Sequence, residues 1–167
     1  MLEQLAPGAQ RDGQADFDFF IGKWHVHHRR LRERLKGSQE WEEFDGTTVA
    51  RKILGGRGNI DEITLERASG LAHGITVRLY DPASHQWNLY WADSVNAVSG
   101  PLVPMIGEFT NGRGEMFAQE FFEGKSIFSR FTWSGITATS CRWEQAFSAD
   151  GGKTWETNWI MDFLRIE

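Results

Sequence analysis

Between His25 and Arg34 the chain reads His-Val-His-His-Arg-Arg-Leu-Arg-Glu-Arg. That density of titratable nitrogen suits three chemistries: metal coordination, capture of an anion, and proton transfer. His25 and His27 stand two apart, so on an extended strand they share a face and fit zinc or copper geometrically. Only a third group such as Asp45 would complete the set, and no spacing picks it out, so no metal is expected. As an anion site the run has a competitor in Glu40-Trp41-Glu42-Glu43-Phe44-Asp45. A hairpin folded about Gly37 sets Arg34 near Glu40, Arg32 near Glu42 and Arg29 near Asp45, which neutralises most of the stripe. His28 and Arg30 remain, on the strand face of Trp24 and Val26, as the polar groups able to orient an acidic ligand. For proton transfer the candidates are His28, Glu144, Tyr90 and Asp93. None sits in a nucleophile elbow, phosphate loop or metalloprotease helix, and Gly55-Gly56-Arg57-Gly58 reads as a turn.

These side chains need strands to position them. After Gly22 the sequence alternates apolar and polar residues between breakers such as Lys36-Gly37-Ser38, Asp81-Pro82-Ala83-Ser84 and Asn111-Gly112-Arg113-Gly114. The pattern predicts an all-β chain of about ten strands. Short turns between sequence neighbours make an antiparallel up-and-down barrel the economical closure, because a barrel removes edge strands. A two-sheet sandwich is the competing layout. Asp16 to Ile21 is expected as a short helix plugging one end. Residues 1–15 are expected to be a loosely held segment and residues 16–167 one domain. The apolar-tipped connection Ser94 to Pro101 suits a lid or a homodimer contact.

Strand parity assigns side chains to the interior. Trp155, Thr157, Trp159, Met161, Phe163 and Arg165 share one face of the last strand, and Cys141, Trp143, Gln145 and Phe147 one face of the strand before it. Trp87, Leu89 and Trp91, then Ile127, Ser129, Phe131 and Trp133, extend the wall. Ile75, Val77 and Leu79 are expected inside, with Thr76, Arg78 and Tyr80 outside. A one-residue slip would invert any of these assignments.

Eight Trp and twelve Phe supply core area and ligand walls alike, and a net charge of −5 argues against nucleic acid or anionic membrane as partner. No apolar run is long enough for a membrane span or a signal peptide, and the lone Cys141 allows no intrachain disulfide. A soluble, cytoplasmic protein is expected.

Two motifs carry a resemblance. Asp16-Phe17-Asp18-Phe19-Phe20-Ile21-Gly22-Lys23-Trp24 opens the ordered chain and Asp162-Phe163-Leu164-Arg165 closes it. A Gly-x-Trp on the first strand answered by a last-strand cation resembles the calycin signature of lipocalin-like barrels. With the end Arg142-Trp143-Glu144-Gln145-Ala146-Phe147, the overall look is similar to uncharacterised bacterial lipocalin-like proteins. That resemblance implies a container for a small molecule. The haem-binding nitrobindin branch takes its ligand histidine from the late strands, and this chain has no histidine after His85, so no cofactor is expected. Ser148-Ala149-Asp150-Gly151-Gly152-Lys153-Thr154-Trp155 resembles an Asp-box, a hairpin turn capped by its Asp with the Trp packed beneath.

The expected function is binding of a small hydrophobic or aromatic ligand. His28, Arg30, Phe44, Trp91, Trp133, Trp143, Gln145 and Trp159 are the candidate ligand contacts. Gly22, Trp24, Asp150, Gly152, Trp155 and Arg165 are the structural residues. The alternatives are an isomerase, cyclase or hydrolase using His28 as acid or base, and a structural or dimerising barrel with a filled interior.

Overall fold

The computed structural model describes residues 11–96 and 98–166. Its strands are β1 (Gly22–Leu31), β2 (Trp41–Ile53), β3 (Gly58–Arg67), β4 (Gly70–Asp81), β5 (Gln86–Asp93), β6 (Met105–Thr110), β7 (Arg113–Phe122), β8 (Lys125–Ser134), β9 (Ser140–Ser148) and β10 (Glu156–Arg165). Each pairs antiparallel with its sequence neighbour, and β1 pairs with β10 to close the barrel. The expected all-β barrel is thus what forms. The short N-terminal helix is a single 3-10 turn, Asp18–Phe20. No helix among the described residues is long and apolar enough to cross a membrane.

The meander places the start of β1 and the end of β10 at one pole, the bottom, and the turns after β1, β3, β5, β7 and β9 at the other, the mouth. The bottom is sealed by Phe17 and Phe20, each 1% exposed, packed among Trp87, Phe109, Trp133 and Phe163. Burying each such ring is worth about 1.5–3 kcal/mol. Gly22, at φ 129°, turns the chain out of this plug into β1. Trp24 and Arg165 are register partners across the closure. The guanidinium of Arg165 lies 4.1 Å above the Trp24 ring and donates to the carbonyls of Ile21, Phe19 and Ala138. The Trp24 indole donates to Phe20 O at 2.8 Å. Of the expected loose segment 1–15, residues 1–10 lie outside the described residues. Within the remainder, Gly13 is tied to the barrel by the Tyr80 hydroxyl and the Trp87 indole.

Three register expectations are corrected. On β4 the inward set is Ala72, Gly74, Thr76, Arg78 and Tyr80, while Ile75, Val77 and Leu79 face out. Thr76, Arg78 and Tyr80 pair across from Trp91, Leu89 and Trp87, and paired residues share a face. Polar contacts set this parity: Arg78 meets Asp61, and Tyr80 meets Gly13. The β1–β2 hairpin pairs Arg29 with Glu43 and Arg30 with Glu42, two residues off the expected match, leaving residues 32–40 as a longer loop at the mouth. On β10 an irregularity between Thr157 and Trp159 breaks the alternation. Asn158 is therefore buried, and Trp155 lies outside the barrel against Phe117 and Arg130.

Candidate functional site

Above the aromatic plug the barrel encloses a cavity of about 640 Å³, open toward the mouth. This is within the usual range for small-molecule sites. Of the expected ligand contacts, Arg30, Trp91, Trp133, Trp143, Gln145 and Trp159 line it, whereas His28 and Phe44 do not. The wall is built from edge-to-face indoles: Trp159 meets Trp91 at 6.1 Å and Trp143 at 5.6 Å, both near perpendicular. Gln145 donates to Asn158 at 2.8 Å, which fixes its amide in the wall.

His28 and Phe44 stand behind this wall. His28 is wholly buried, stacked on Phe44 and hydrogen-bonded through Nδ1 to the Trp159 indole. Burial first, then the neighbouring His27, pushes its pKa down to about 3. His28 stands behind the wall and touches it through Trp159. Phe44 packs with Leu65 and Ala72 in a separate apolar cluster that touches Trp91 and Trp159.

The charges at the mouth differ from the sequence reading. Glu42, the cross-strand neighbour of Arg30, turns instead to Arg67 at 2.8 Å. Arg30 is left stacked over Trp159, 5.2 Å from the ring centre, and Arg34 over Phe122 and Phe147. Both guanidiniums line the cavity, and neither has a carboxylate within ion-pair distance among the described residues. Burial, with Arg34 and Arg67 nearby, pushes Arg30 down to about 10, so it stays charged at neutral pH. Burial likewise lowers Arg34. Glu120, also lining the cavity, is raised by burial. Residues 98–103 of the β5–β6 connection form part of the rim, and Asp93 anchors that connection by accepting the Val95 and Asn96 amides.

Sequence reasoning missed Arg34, which it assigned to the neutralised ladder. It also missed the polar floor formed by Arg78, Asp61, Asn59 and Thr48. A signal for the floor existed. Asp61 has the parity of Ile63 and Leu65, and a carboxylate on that apolar face demands a buried cation.

The turn between β9 and β10 is held by its own side chains. Asp150 accepts from Ser148 Oγ at 2.8 Å, from the Thr154 amide at 2.9 Å and from its hydroxyl at 2.5 Å, Gly152 N donates to Ser148 Oγ, and the Trp155 indole donates to Gly152 O. His25, His27 and Asp45 meet on the outer face, with His27 Nδ1 3.0 Å from Asp45 Oδ1. Among the described residues no three such groups are arranged to hold a metal.

No family model matches the chain, and no curated protein matches it in sequence. Among solved structures, the S-type phycobiliprotein lyase of Guillardia theta is similar to it with a TM-score of 0.55 and 10% identity, over 90% of this chain and 90% of that one. At that identity the likeness is one of fold alone, and this chain's fold is the closed ten-strand antiparallel barrel.

Proposed function

We propose that the protein is a container for a small, largely apolar or aromatic ligand that carries an acidic group. The observation behind this reading is an indole-walled cavity whose mouth holds two guanidiniums, Arg30 and Arg34, without a carboxylate partner among the described residues. A half-buried guanidinium has lost part of its hydration, and a ligand carboxylate returns those hydrogen bonds in charge-assisted form. The resemblance to uncharacterised bacterial lipocalin-like proteins, carried by Gly22, Trp24 and the Arg142 to Trp155 end, belongs to the same proposal, as does a cytoplasmic setting. Likeness in fold to a phycobiliprotein lyase adds a bilin-like chromophore to the ligands to be tested.

The test is titration with biliverdin, biphenylbutanoate and biphenylbutanol, followed by tryptophan fluorescence and by native mass spectrometry. The expected result is a one-to-one complex that quenches the indoles, with the acid preferred over the alcohol. Arg30→Gln with Arg34→Gln should lower that preference about tenfold, the scale of a hydrogen bond to a charged group. Absence of any retained ligand, or a preference unmoved by the double variant, overturns the reading.

A further inference from the structure

The floor of the cavity holds polar groups of a different kind from those at the mouth. Arg78 and Asp61 are both buried and both line the floor. Arg78 Nη1 lies 2.6 Å from Asp61 Oδ1, and the same nitrogen donates to Asn59 at 2.9 Å. Asp61 Oδ2 accepts from Thr48 Oγ1 at 2.9 Å. The charge is therefore paired at contact distance inside the wall, as that of Arg30 and Arg34 is not. The guanidinium is also fixed, lying over the rings of Phe17, Phe20 and Trp133 at 4.9 to 5.6 Å.

Two donors on this floor are left over. Arg78 Nε and Trp133 Nε1 are buried, belong to side chains that line the cavity, and have no acceptor among the described residues. Buried donors are seldom left unpaired. Their side chains are neighbours, with the guanidinium carbon 5.6 Å from the Trp133 ring centre.

We infer that the floor is a second polar subsite, where Arg78 Nε and Trp133 Nε1 donate to an uncharged oxygen at the leading end of the ligand. This rests on the container reading and narrows its ligand class. A carboxylate on the floor would bury a second negative charge beside Asp61, so a ketone, aldehyde or amide oxygen fits and an acid does not. The arginines at the mouth, which have no carboxylate within ion-pair distance among the described residues, take the anion. The cavity thus selects apolar acids that end in a carbonyl group, and seats them carbonyl first.

The experiment compares two acids of nearly equal shape, biphenylbutanoate bearing a para-acetyl group and its para-isopropenyl isostere, by calorimetry on the intact protein. An unpaired ketone loses affinity on burial, whereas a site built to donate to it should favour the acetyl acid by about tenfold or more. Trp133→Phe and, separately, Arg78→Lys each delete one donor, and each should reduce the ratio, with near-ultraviolet circular dichroism confirming the fold. Equal affinity for the two acids overturns the floor subsite and leaves the container reading standing. A preference that survives both substitutions overturns its assignment to these residues. Failure of both acids to bind removes the container reading and the floor subsite together.

Discussion

The indole of Trp159 donates to Nδ1 of His28 at 3.2 Å, and His28 in turn lies flat on Phe44, with ring centroids 4.5 Å apart. With Nδ1 accepting, the imidazole proton resides on Nε2, and the ring is neutral. Trp159 also carries Arg30 on its face, so His28 positions a wall residue and a mouth cation at once.

The burial of His28 gives a pH dependence with a definite sign. Its folded-state pKa is about 3 against 6.5 for the free side chain, so the unfolded chain binds the extra proton between those values. Stability from this group is complete above about pH 6.5 and is lost as pH falls toward 3, with a slope approaching about 1.4 kcal/mol per pH unit. His28→Gln keeps an acceptor for Trp159 and removes the titration. Urea denaturation at several pH values should show the wild-type slope exceeding that of the variant through this window. Parallel slopes would mean that His28 ionises freely in the folded protein.

Gly74 makes room for Trp91. A Cβ built at Gly74 would stand 2.1 Å from Cη2 of the Trp91 indole and under 3 Å from two further ring atoms. Gly74→Ala must therefore displace an indole that meets Trp159 edge to face and donates to Asp93 at 3.1 Å. The expected cost is about 1–3 kcal/mol in chemical denaturation, the usual range for overpacking. Biphenylbutanoate affinity should change with it, because the displaced ring belongs to the cavity wall. A variant with wild-type stability and affinity would show that the indole has a second place to sit.

The fold was legible in the sequence because alternation and turn residues are local signals. Trp24, Val26, Leu89 and Phe163 could be placed inside by counting alone. β4 was misplaced because its apolar residues lie on the outer parity, and what turns Arg78 inward is a carboxylate on another strand. Parity sees one strand at a time, whereas a buried ion pair belongs to two. Trp155 and Asn158 were misplaced by one irregularity that adds a residue to β10 without marking the sequence. The cavity wall was legible for the same reason as the fold. Its charges were not, since whether Arg30 is neutralised depends on Glu42 choosing Arg67 from a third strand.

Arg165 closes the barrel by joining its last strand to the plug. It donates to Ile21 O at 2.7 Å, Phe19 O at 2.5 Å and Ala138 O at 2.9 Å while lying over Trp24. Arg165→Met keeps much of the stem packing on the indole and removes the donors, so three carbonyls lose a charged partner. A loss on the order of 3 kcal/mol is expected, given about 1.5–3 kcal/mol for a hydrogen bond to a charged group and partial rescue of exposed carbonyls by water. The check is thermal and urea unfolding. A loss below about 0.5 kcal/mol, the scale of an ordinary surface substitution, would assign the closure to the aromatic plug alone.

Asp150 separates a turn motif from a binding site. Its carboxylate is pushed down to about 2 by the Thr154 hydroxyl and amide and by Ser148, all within the β9–β10 turn. A depressed carboxylate stabilises the fold above its free pKa of 3.8, and that contribution disappears as pH falls through about 2. At neutral pH the group is thus fully engaged in holding the turn. Asp150→Ala should speed amide exchange at Gly152 and Thr154, whose N–H groups donate to Ser148 and Asp150. Biphenylbutanoate affinity should stay at the wild-type value, since the cavity lining does not include Asp150. Exchange rates and a binding isotherm on the same variant decide the matter. Loss of affinity with the turn amides still protected would make Asp150 a ligand contact, and the Asp-box would then be part of the site.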